Sequence, residues 1–530
     1  MWIDERHLMG WFKRMMWVVA LILCGVLFAA GEAAAELQSV EVGGSLRVRG
    51  RIFSNNWETT STPGGLRIPD ELLRRRAIGP WGTRSRFAWD SSASNSEYVE
   101  QDTRLHVRAG FSRDIESLVE FKTYHRWEDG SGGAWRMDDE FAGNPARPDL
   151  WQAYVQADNL GLDGLRLRLG RQELELGKGW LISHRRGIIG RTFDGARLTY
   201  EQDDWGLDAW AVKYRDSGLV SLDGDQELYT VEGSYTGWDP AALEVYWIGV
   251  RDSERADDTG FAPPAAWIED WRGVNQYDTT FLHTAGARVY GATGPVDYDL
   301  EGAVQWGNAS GLGQYFRLGR YGDDRARFDG NWAADAEIGY TLEEMAWRPR
   351  FGIGGAYFSG QDNRDISFGE WLNPLHRPEA SISFNRIQSF FSYSFLMDLT
   401  KDMTNFHQIR ANAVAHPHDQ VTLDWSLAYY GVNETFDRPV STRVGRYRIP
   451  LAPGLPFVTE SSASDIGLVS HFILRYQYSP DWNINFGWER LFTGQGLRDG
   501  NFTHRQGLEF SGGTARDNAD LIYIDTSVRF

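Results

Sequence analysis

Short stretches of strict alternation between apolar and polar residues recur along this chain. The stretch 45–53 reads SLRVRGRIF, so that apolar side chains share one face and arginines share the other. The stretches 103–111, 296–306 and 420–430 repeat the pattern with different residues. A period of two is typical of a β-strand whose two faces meet different surroundings. The chain is therefore predicted to be built from two-faced strands.

Eighteen such strands can be placed between residue 45 and the carboxyl terminus. They run roughly over 45–56, 103–113, 115–127, 149–158, 165–177, 195–203, 206–215, 228–236, 241–251, 283–293, 296–307, 330–342, 347–359, 405–416, 420–432, 466–479, 481–493 and 519–530.

The connections between these strands alternate in length. Short ones such as 113–114 and 294–295 alternate with long ones, and the long ones are 57–102, 128–148, 178–194, 216–227, 252–282, 308–329, 360–404, 433–465 and 494–518. Short turns at one end and long loops at the other are typical of an outer-membrane barrel. Because lipid cannot hydrogen-bond the backbone, a spanning sheet must close on itself. We therefore predict an all-β protein, a closed antiparallel transmembrane β-barrel with short periplasmic turns and long extracellular loops.

Aromatic residues support the membrane barrel over a secreted β-sandwich or propeller, the soluble alternative. No repeat at a fixed blade period is visible, and Trp and Tyr cluster where interfacial girdles belong. The tryptophans near predicted strand ends are Trp57, Trp127, Trp151, Trp205, Trp238, Trp332, Trp347 and Trp482.

Residues 1–35 are predicted to be a secretory signal peptide, and residues 36–530 the barrel. Lys13 and Arg14 precede a long apolar run, and alanines 33–35 supply an A-x-A cleavage site. A retained signal anchor is the alternative. Cleavage removes Cys24, the one cysteine, so the mature barrel has no thiol and a disulfide scaffold is excluded.

The carboxyl terminus is an amphipathic strand ending in Phe530. This resembles the terminal signal that the barrel assembly machinery of the outer membrane reads. Together with the leader, it predicts a bacterial outer-membrane location, with outer-membrane lipid and the assembly machinery as partners.

The composition is consistent with a membrane barrel once the two faces of the strands are considered separately. The mean hydropathy of −0.45 averages a lipid-facing surface with a water-filled one. The net charge is −19, from 73 Asp and Glu against 54 Lys and Arg, which argues against a nucleic-acid partner.

One local signature resembles a known family. The pieces 152–154 (QAY), 169–174 (LGRQEL), 177–181 (GKGWL) and 190–195 (GRTFDG) are similar to the core of the alginate export family of outer-membrane porins. In that family a strand ending in a GRQEL-like run enters a loop, and the chain returns through an R-x-F-D-G/A turn. The resemblance implies an outer-membrane diffusion channel and leaves alginate itself open as cargo.

The hydrophobic pattern inside this signature changes parity. Leu165, Leu167 and Leu169 are predicted to face outward, and so are Leu174 and Leu176, so a bulge is expected near Gly170. The bulge would turn Arg171 and Glu173 inward. Two hypotheses remain: an ion-pair cluster of Arg171, Glu173, Arg191 and Asp194 that pins the loop, or a pore constriction formed by Arg171, His184, Arg185, Arg186 and Arg191.

Alternation also places many arginines in the lumen. Guanidinium groups stay charged and bind carboxylates in bidentate fashion, and rings of arginine occur in anion-conducting pores. The predicted pore-lining and substrate-binding residues are Arg47, Arg49, Arg51, Arg104, His106, Arg108, Arg166, Arg168, Arg171, Arg191, Arg288, Arg350, Arg410, Arg475 and Arg529.

Acidic residues oppose this arginine wall. Strands eleven and twelve send in Asp297, Asp299, Glu301, Asp335 and Glu337, roughly opposite strands one and two. One hypothesis is a transverse field that orients dipolar solutes; the alternative is that wall charges pair locally and keep the lumen wet. Since the turn at 479–481 is too short to plug a pore, gating is expected from loops such as 57–102 or 360–404.

No catalytic constellation stands out, so an enzyme is not predicted. His407 near Asp402, His504 near Asp499 and the turn 416–419 are interpreted as structural. No cofactor is expected; the acidic loop runs 138–140, 257–258 and 323–324 are weak Ca²⁺ candidates. The predicted function is passive diffusion or export of polar or anionic solutes, acidic saccharides such as alginate among them. The alternative is a non-conducting barrel that sheathes a partner protein.

Overall fold

The computed structural model describes the barrel and parts of its loops. The described residues are 36–54, 84–87, 96–112, 114–127, 148–185, 190–215, 226–252, 279–308, 327–360, 367–369, 382–398, 403–435, 438–444, 447–450, 458–461, 463–499, 503–504, 509–512 and 518–530. The predicted signal peptide and the three acidic loop runs lie outside these ranges.

Eighteen strands form one sheet, as the alternation predicts. In chain order they are β1 Leu37–Ser54, β2 Ser96–Phe111, β3 Ile115–Trp127, β4 Asp149–Ala157, β5 Leu165–Gln172, β6 Phe193–Gln202, β7 Trp205–Arg215, β8 Gln226–Trp238, β9 Ala241–Asp252, β10 Thr280–Thr293, β11 Val296–Asn308, β12 Arg327–Thr341, β13 Arg350–Phe358, β14 Phe406–His418, β15 Val421–Val432, β16 Asp465–Ser479, β17 Trp482–Thr493 and β18 Ala519–Arg529.

The sheet closes because β1 pairs with both β2 and β18. Its register runs from Ser45 opposite Arg529 to Ser54 opposite Asp520 on one side, and it is antiparallel to β2 on the other. Every other strand pairs antiparallel with its neighbours in sequence. The predicted closed antiparallel barrel is thus confirmed, and no sheet edge is left to meet lipid.

The barrel has a turn end and a loop end. The connections of two to eight residues all lie at the turn end, where β1 begins and β18 finishes, and they are 112–114, 158–164, 203–204, 239–240, 294–295, 342–349, 419–420 and 480–481. At the loop end lie the long connections, in which short strand pairs and one helix, Gln495–Asp499, occur. In the described part of the chain, no helix is long and apolar enough to cross a membrane.

Two strand boundaries differ from the sequence prediction for local reasons. β1 begins at Leu37, because Gly43 and Gly44 interrupt the alternation without interrupting the strand. A Cβ at Gly44 would lie 2.5 Å from the carbonyl oxygen of Arg104, so only glycine allows this close strand approach. β13 begins at Arg350 because Trp347 and Arg348 adopt left-handed φ angles of 71° and 43°.

Side chains alternate between an exposed apolar outer face and a more buried inner face. Val42, Ile353 and Ile409 are 72%, 71% and 63% exposed on the outside. Exposed aromatic residues on the outer face gather near both ends, Trp205 and Trp238 at the turn end and Trp127 and Trp332 at the loop end. Trp151 does not belong to these girdles; its side chain points inward and is buried.

The parity switch predicted near Gly170 is wrong. β5 keeps an unbroken register with both β4 and β6, so Arg171 stays on the outer face with Leu169. Leu174 and Leu176 do not face lipid either. Both are buried in a hydrophobic cluster inside the barrel, because the chain leaves the sheet after Gln172 and folds into the lumen.

Candidate functional site

The segment 173–185 forms a small hairpin inside the lumen. Backbone bonds join Leu176 N–H to Ile182 O at 3.1 Å and His184 N–H to Leu174 O at 2.7 Å. Gly177 and Gly179 supply left-handed φ angles of 50° and 79° at its turn, which explains the two glycines of the GKGWL piece.

A second segment, 382–398, comes from the long loop after β13 and pairs with this hairpin. Ser183 N–H donates to Gln388 O and Gln388 N–H donates to Leu181 O, both at 2.9 Å. The indole Nε1–H of Trp180 donates to Tyr393 Oη at 2.8 Å. We call the two segments together the crossbar. For the loop 360–404, the expectation of an inward fold is confirmed for its described part; most of 57–102 lies outside the described residues.

The crossbar has its own buried ionic centre at Arg386. This side chain pairs with Asp398 at 2.8 Å, donates to Ser389 Oγ at 3.0 Å, and stands 5.1 Å from the ring centre of Tyr393. Both partners of the ion pair are buried almost completely. Such a pair specifies one loop geometry, since breaking it leaves a charge uncompensated.

An aromatic cluster packs the crossbar against the inner wall at the loop end. Trp180 lies 5.7 Å from Phe358 and 6.4 Å from Phe384 between ring centres, and Phe358 stacks on Phe406 at 5.0 Å. Each buried aromatic side chain contributes about 2–3 kcal/mol. The lumen is therefore filled with side chains along β13–β15 at this level.

A continuous chain of ion pairs ties the crossbar to the wall formed by β9–β14. Lys178 Nζ lies 3.0 Å from Asp299 and 3.2 Å from Asp335. Burial alone would lower the pKa of Lys178, but Asp335, Glu301 and Asp299 outweigh it and hold that pKa above its ordinary value. With separations of 2.5–3.2 Å, the chain runs Glu244, Arg288, Asp299, Lys178, Asp335, Arg410, Glu337, Arg350 and Asp297.

On the opposite wall, formed by β18, β1 and β2, acidic and basic side chains also neutralise one another in ion pairs. Asp525 pairs with Arg47 and Arg49, each at 2.5 Å, and Glu100 pairs with Arg49 at 3.2 Å and Arg51 at 3.1 Å. Both the predicted arginine wall and the predicted acidic wall therefore carry counter-charges. Among the described residues, this pattern favours local pairing over a simple transverse field.

Glu173 attaches the other end of the hairpin to β2 and β4. Its Oε1 accepts hydrogen bonds from Trp151 Nε1 at 2.6 Å and Arg104 Nη1 at 2.8 Å. Its Oε2 lies 3.4 Å from His184 Nε2. Burial raises the pKa of Glu173, but His184 and Arg104 outweigh it and hold that pKa below its ordinary value, so the carboxylate stays ionised. The hairpin thus presents the negatively charged Glu173 to the arginine wall and the positively charged Lys178 to the acidic wall.

Arginines at the turn end keep much of their surface exposed. Arg47, Arg108, Arg166 and Arg475 have side chains 43–49% exposed. Arg108, Arg166 and Arg475 lie within four residues of the turn end of their strands, and Arg47 lies opposite Ser527, two residues from the end of β18. Arg108 and Arg475 face Glu116 at 3.7 Å and Asp424 at 2.8 Å, and Arg166 pairs with Asp158. With Arg529 they define what we call the arginine arc, on β16, β18, β1, β2 and β5.

Thirteen of the fifteen predicted lumen residues occupy inward positions by alternation with exposed apolar neighbours. Arg168 donates to Gln156 Oε1 at 2.6 Å, and His106 lies beside Gly43. The prediction that Arg171 lines the lumen is wrong. Because the strand register is unbroken, Arg171 lies on the outer face, where it pairs with Asp194 at 2.7 Å. Arg191 follows β5 in the loop, where its N–H donates to His184 O; Arg186 lies outside the described residues.

The residues that hold the crossbar are not among the predicted site residues: Lys178, Trp180, Arg386 and Tyr393. Lys178 and Trp180 carried a weak signal, since glycines flank them in the GKGWL piece. Arg386 and Tyr393 carried none, because their loop shows no alternation and their partners are distant in sequence.

A closed eighteen-stranded barrel with an apolar outer belt, a charged lumen and inward-folded loops defines an outer-membrane channel. A family model described as alginate export matches residues 84–507. The chain therefore belongs to the alginate export family, as the signature around 149–200 indicates. No curated protein matches the chain.

Solved structures with a similar outline include outer-membrane proteins of two organisms. OccK11 (OpdR) of Pseudomonas aeruginosa is 10% identical with a TM-score of 0.47, over 92% of this chain and 96% of that one. OccAB1 of Acinetobacter baumannii is 11% identical with a TM-score of 0.48, over 92% of this chain and 97% of that one.

Proposed function

We propose that this outer-membrane channel passes small anionic solutes, acidic saccharides among them, by passive diffusion through a lumen narrowed by the crossbar. The observation that supports this is the arginine arc. Although the whole chain carries a net charge of −19, these guanidinium groups remain accessible at the turn end. Accessible guanidinium groups attract carboxylates and bind them in bidentate fashion.

The turn end corresponds to the periplasm, since short turns of outer-membrane barrels lie there. A solute from the periplasm thus meets the arc first and the crossbar second. We also propose that the chain reaches the membrane through a cleaved leader and is assembled with the help of its terminal strand, in which Phe530 is exposed.

Bilayer recordings test this function. Under a salt gradient, we expect the reversal potential to show anion selectivity, and we expect uronate oligomers to block current at concentrations where neutral sugars do not. Cation selectivity would contradict the anionic cargo.

The filled lumen beside β13–β15 favours the second candidate, a non-conducting barrel that sheathes a partner protein. The same recordings separate the two. A purified barrel that shifts on an unboiled gel but never conducts would support the sheath and overturn the channel.

A further inference from the structure

The wall formed by β2–β4 binds the carboxylate of Glu173 with donors that could equally bind the carboxylate of a ligand. One oxygen of Glu173 accepts two hydrogen bonds, from the indole of Trp151 at 2.6 Å and the guanidinium of Arg104 at 2.8 Å. Donors converging on one carboxylate oxygen, one of them charged, form a strong anion site.

These donors stay in place through contacts with the wall itself. Arg104 lies 3.5 Å from Asp102 and 3.6 Å from Glu120, both on neighbouring wall positions. Trp151 is packed beneath two cations, with Lys122 Nζ 4.1 Å and Arg104 Cζ 5.1 Å from its ring centre. The site is therefore pre-organised and does not depend on Glu173 for its shape.

Glu173, by contrast, belongs to the crossbar. It follows the last residue of β5, and its hairpin reaches the far wall through Lys178 and through the packing of Trp180 against Phe358. Removing the Glu173 carboxylate from the site would break the side-chain contacts of this end of the hairpin with Arg104 and Trp151, while the link to β5, the bond from Glu173 N–H to Gln152 Oε1 and the far-wall contacts stay in place.

We infer that Arg104 and Trp151 form a binding site for the carboxylate of a passing solute, and that Glu173 is the occupant which that solute displaces. The inference rests on the proposed function, since it requires anionic solutes in the lumen. Exchange of one carboxylate for another conserves the charge and both hydrogen bonds. A tethered group competes at an effective concentration in the millimolar range, so displacement requires solute at roughly millimolar levels.

Displacement removes the side-chain contacts that hold the Glu173 end of the hairpin against β2 and β4, which loosens the hairpin and widens the passage. A neutral sugar lacks the charge that Arg104 requires and leaves the hairpin in place. The channel is thereby opened by the class of solute that it passes.

Single-channel recordings of the full chain with galacturonate and glucose as probes test this. In the wild type, we expect millimolar galacturonate to raise the open fraction and glucose to leave it unchanged. In Glu173→Gln the tethered competitor is neutral, and only the wall carboxylates of Asp102 and Glu120 remain beside Arg104, so the channel should be open without solute. Galacturonate should then bind at about tenfold lower concentration.

Glu175→Gln is the matched control. Glu175 lies in the same hairpin, but its contacts are with Ser183 at 2.6 Å, Arg185 at 3.6 Å and His184 at 3.7 Å, all within its own segment, and it touches neither Arg104 nor Trp151. The variant makes the same chemical change and should behave as the wild type does. Glu173→Asp keeps the charge on a shorter side chain and should be partly open; migration on unboiled gels verifies that each variant is folded.

The outcomes are distinct. If the wild type conducts anions and Glu173→Gln matches Glu175→Gln in open fraction and galacturonate response, the displacement site is overturned and the proposed function stands. If the folded wild type conducts neither with nor without galacturonate, both are overturned.

Discussion

The ammonium of Lys178 lies 3.2 Å from the carboxylate of Asp335, which lies on a strand 157 positions later in the chain. This contact joins the crossbar to an ion-pair chain that otherwise consists of strand residues. Asp335 is buried and keeps Arg410 at 2.9 Å as a second partner. The contact therefore positions the crossbar, while Arg410 on the wall still balances the charge of Asp335.

Replacing Lys178 by methionine should favour the open channel. The change removes the crossbar's cation from a buried site and should cost its closed arrangement about 2 kcal/mol, roughly a thirtyfold shift in population. Single-channel recordings should show a larger mean conductance. Arg197→Met is the control, because Arg197 is a lumen cation that pairs with Asp208 at 2.7 Å within the wall formed by β6 and β7. Equal conductance in the two variants would contradict the role given to Lys178.

Trp180→Ala should loosen the crossbar without disturbing the strand pairing of the barrel. Truncating a fully buried tryptophan costs about 3–5 kcal/mol, here concentrated in the loop cluster rather than in the strand ladder. We expect trypsin to cleave the folded variant after Arg386, which is buried in the native protein. Trp205→Ala, on the exposed outer face, should stay resistant at that site. Resistance of both variants would mean that Trp180 does not secure the loop.

The pair Arg386 and Asp398 should show strong coupling. Arg386→Met alone leaves Asp398 buried without its cation, at a cost of about 3–5 kcal/mol. Asp398 accepts from the backbone N–H of Tyr393 with Oδ2 and from that of Met403 with Oδ1, and Asp398→Asn removes the charge but keeps one of these two oxygens, so the double variant should recover part of the loss. Protection of residues 382–398 from hydrogen exchange measures this, and additive losses would refute the coupling.

Neutralising the arginine arc should reduce anion selectivity. In Arg47→Gln/Arg108→Gln/Arg166→Gln/Arg475→Gln four of the five positive charges of the arc are lost, while Arg529 and the buried pairs of the far wall remain. The reversal potential in a salt gradient should move toward zero or change sign. Arg171→Gln, which changes an outward arginine paired with Asp194, should keep the wild-type value. A shift in Arg171→Gln as large as in the quadruple variant would contradict the placement of Arg171.

The alternation of the sequence determined the strands by itself. It placed β3 at 115–127 as observed, separated short turns from long loops, and identified the inward face of thirteen predicted lumen residues. This works because lipid on one side and water on the other leave a two-residue period in every strand.

The tertiary structure alone decided what the loops and charges do. Leu174 and Leu176 resume an apolar alternation after β5 with the opposite parity, and they face a buried cluster instead of lipid, because an apolar side chain suits lipid and a packed interior equally well. Arg47 and Asp525 are 478 positions apart, and Arg350 and Asp297 are 53 apart. The sequence therefore shows the charge of each residue but not its ion-pair partner. Pairing requires the closed register of the barrel, and the crossbar requires two loops to meet inside it. Ion pairs within each wall neutralise most of the lumen charge, and the meeting of the two loops places the crossbar across that lumen.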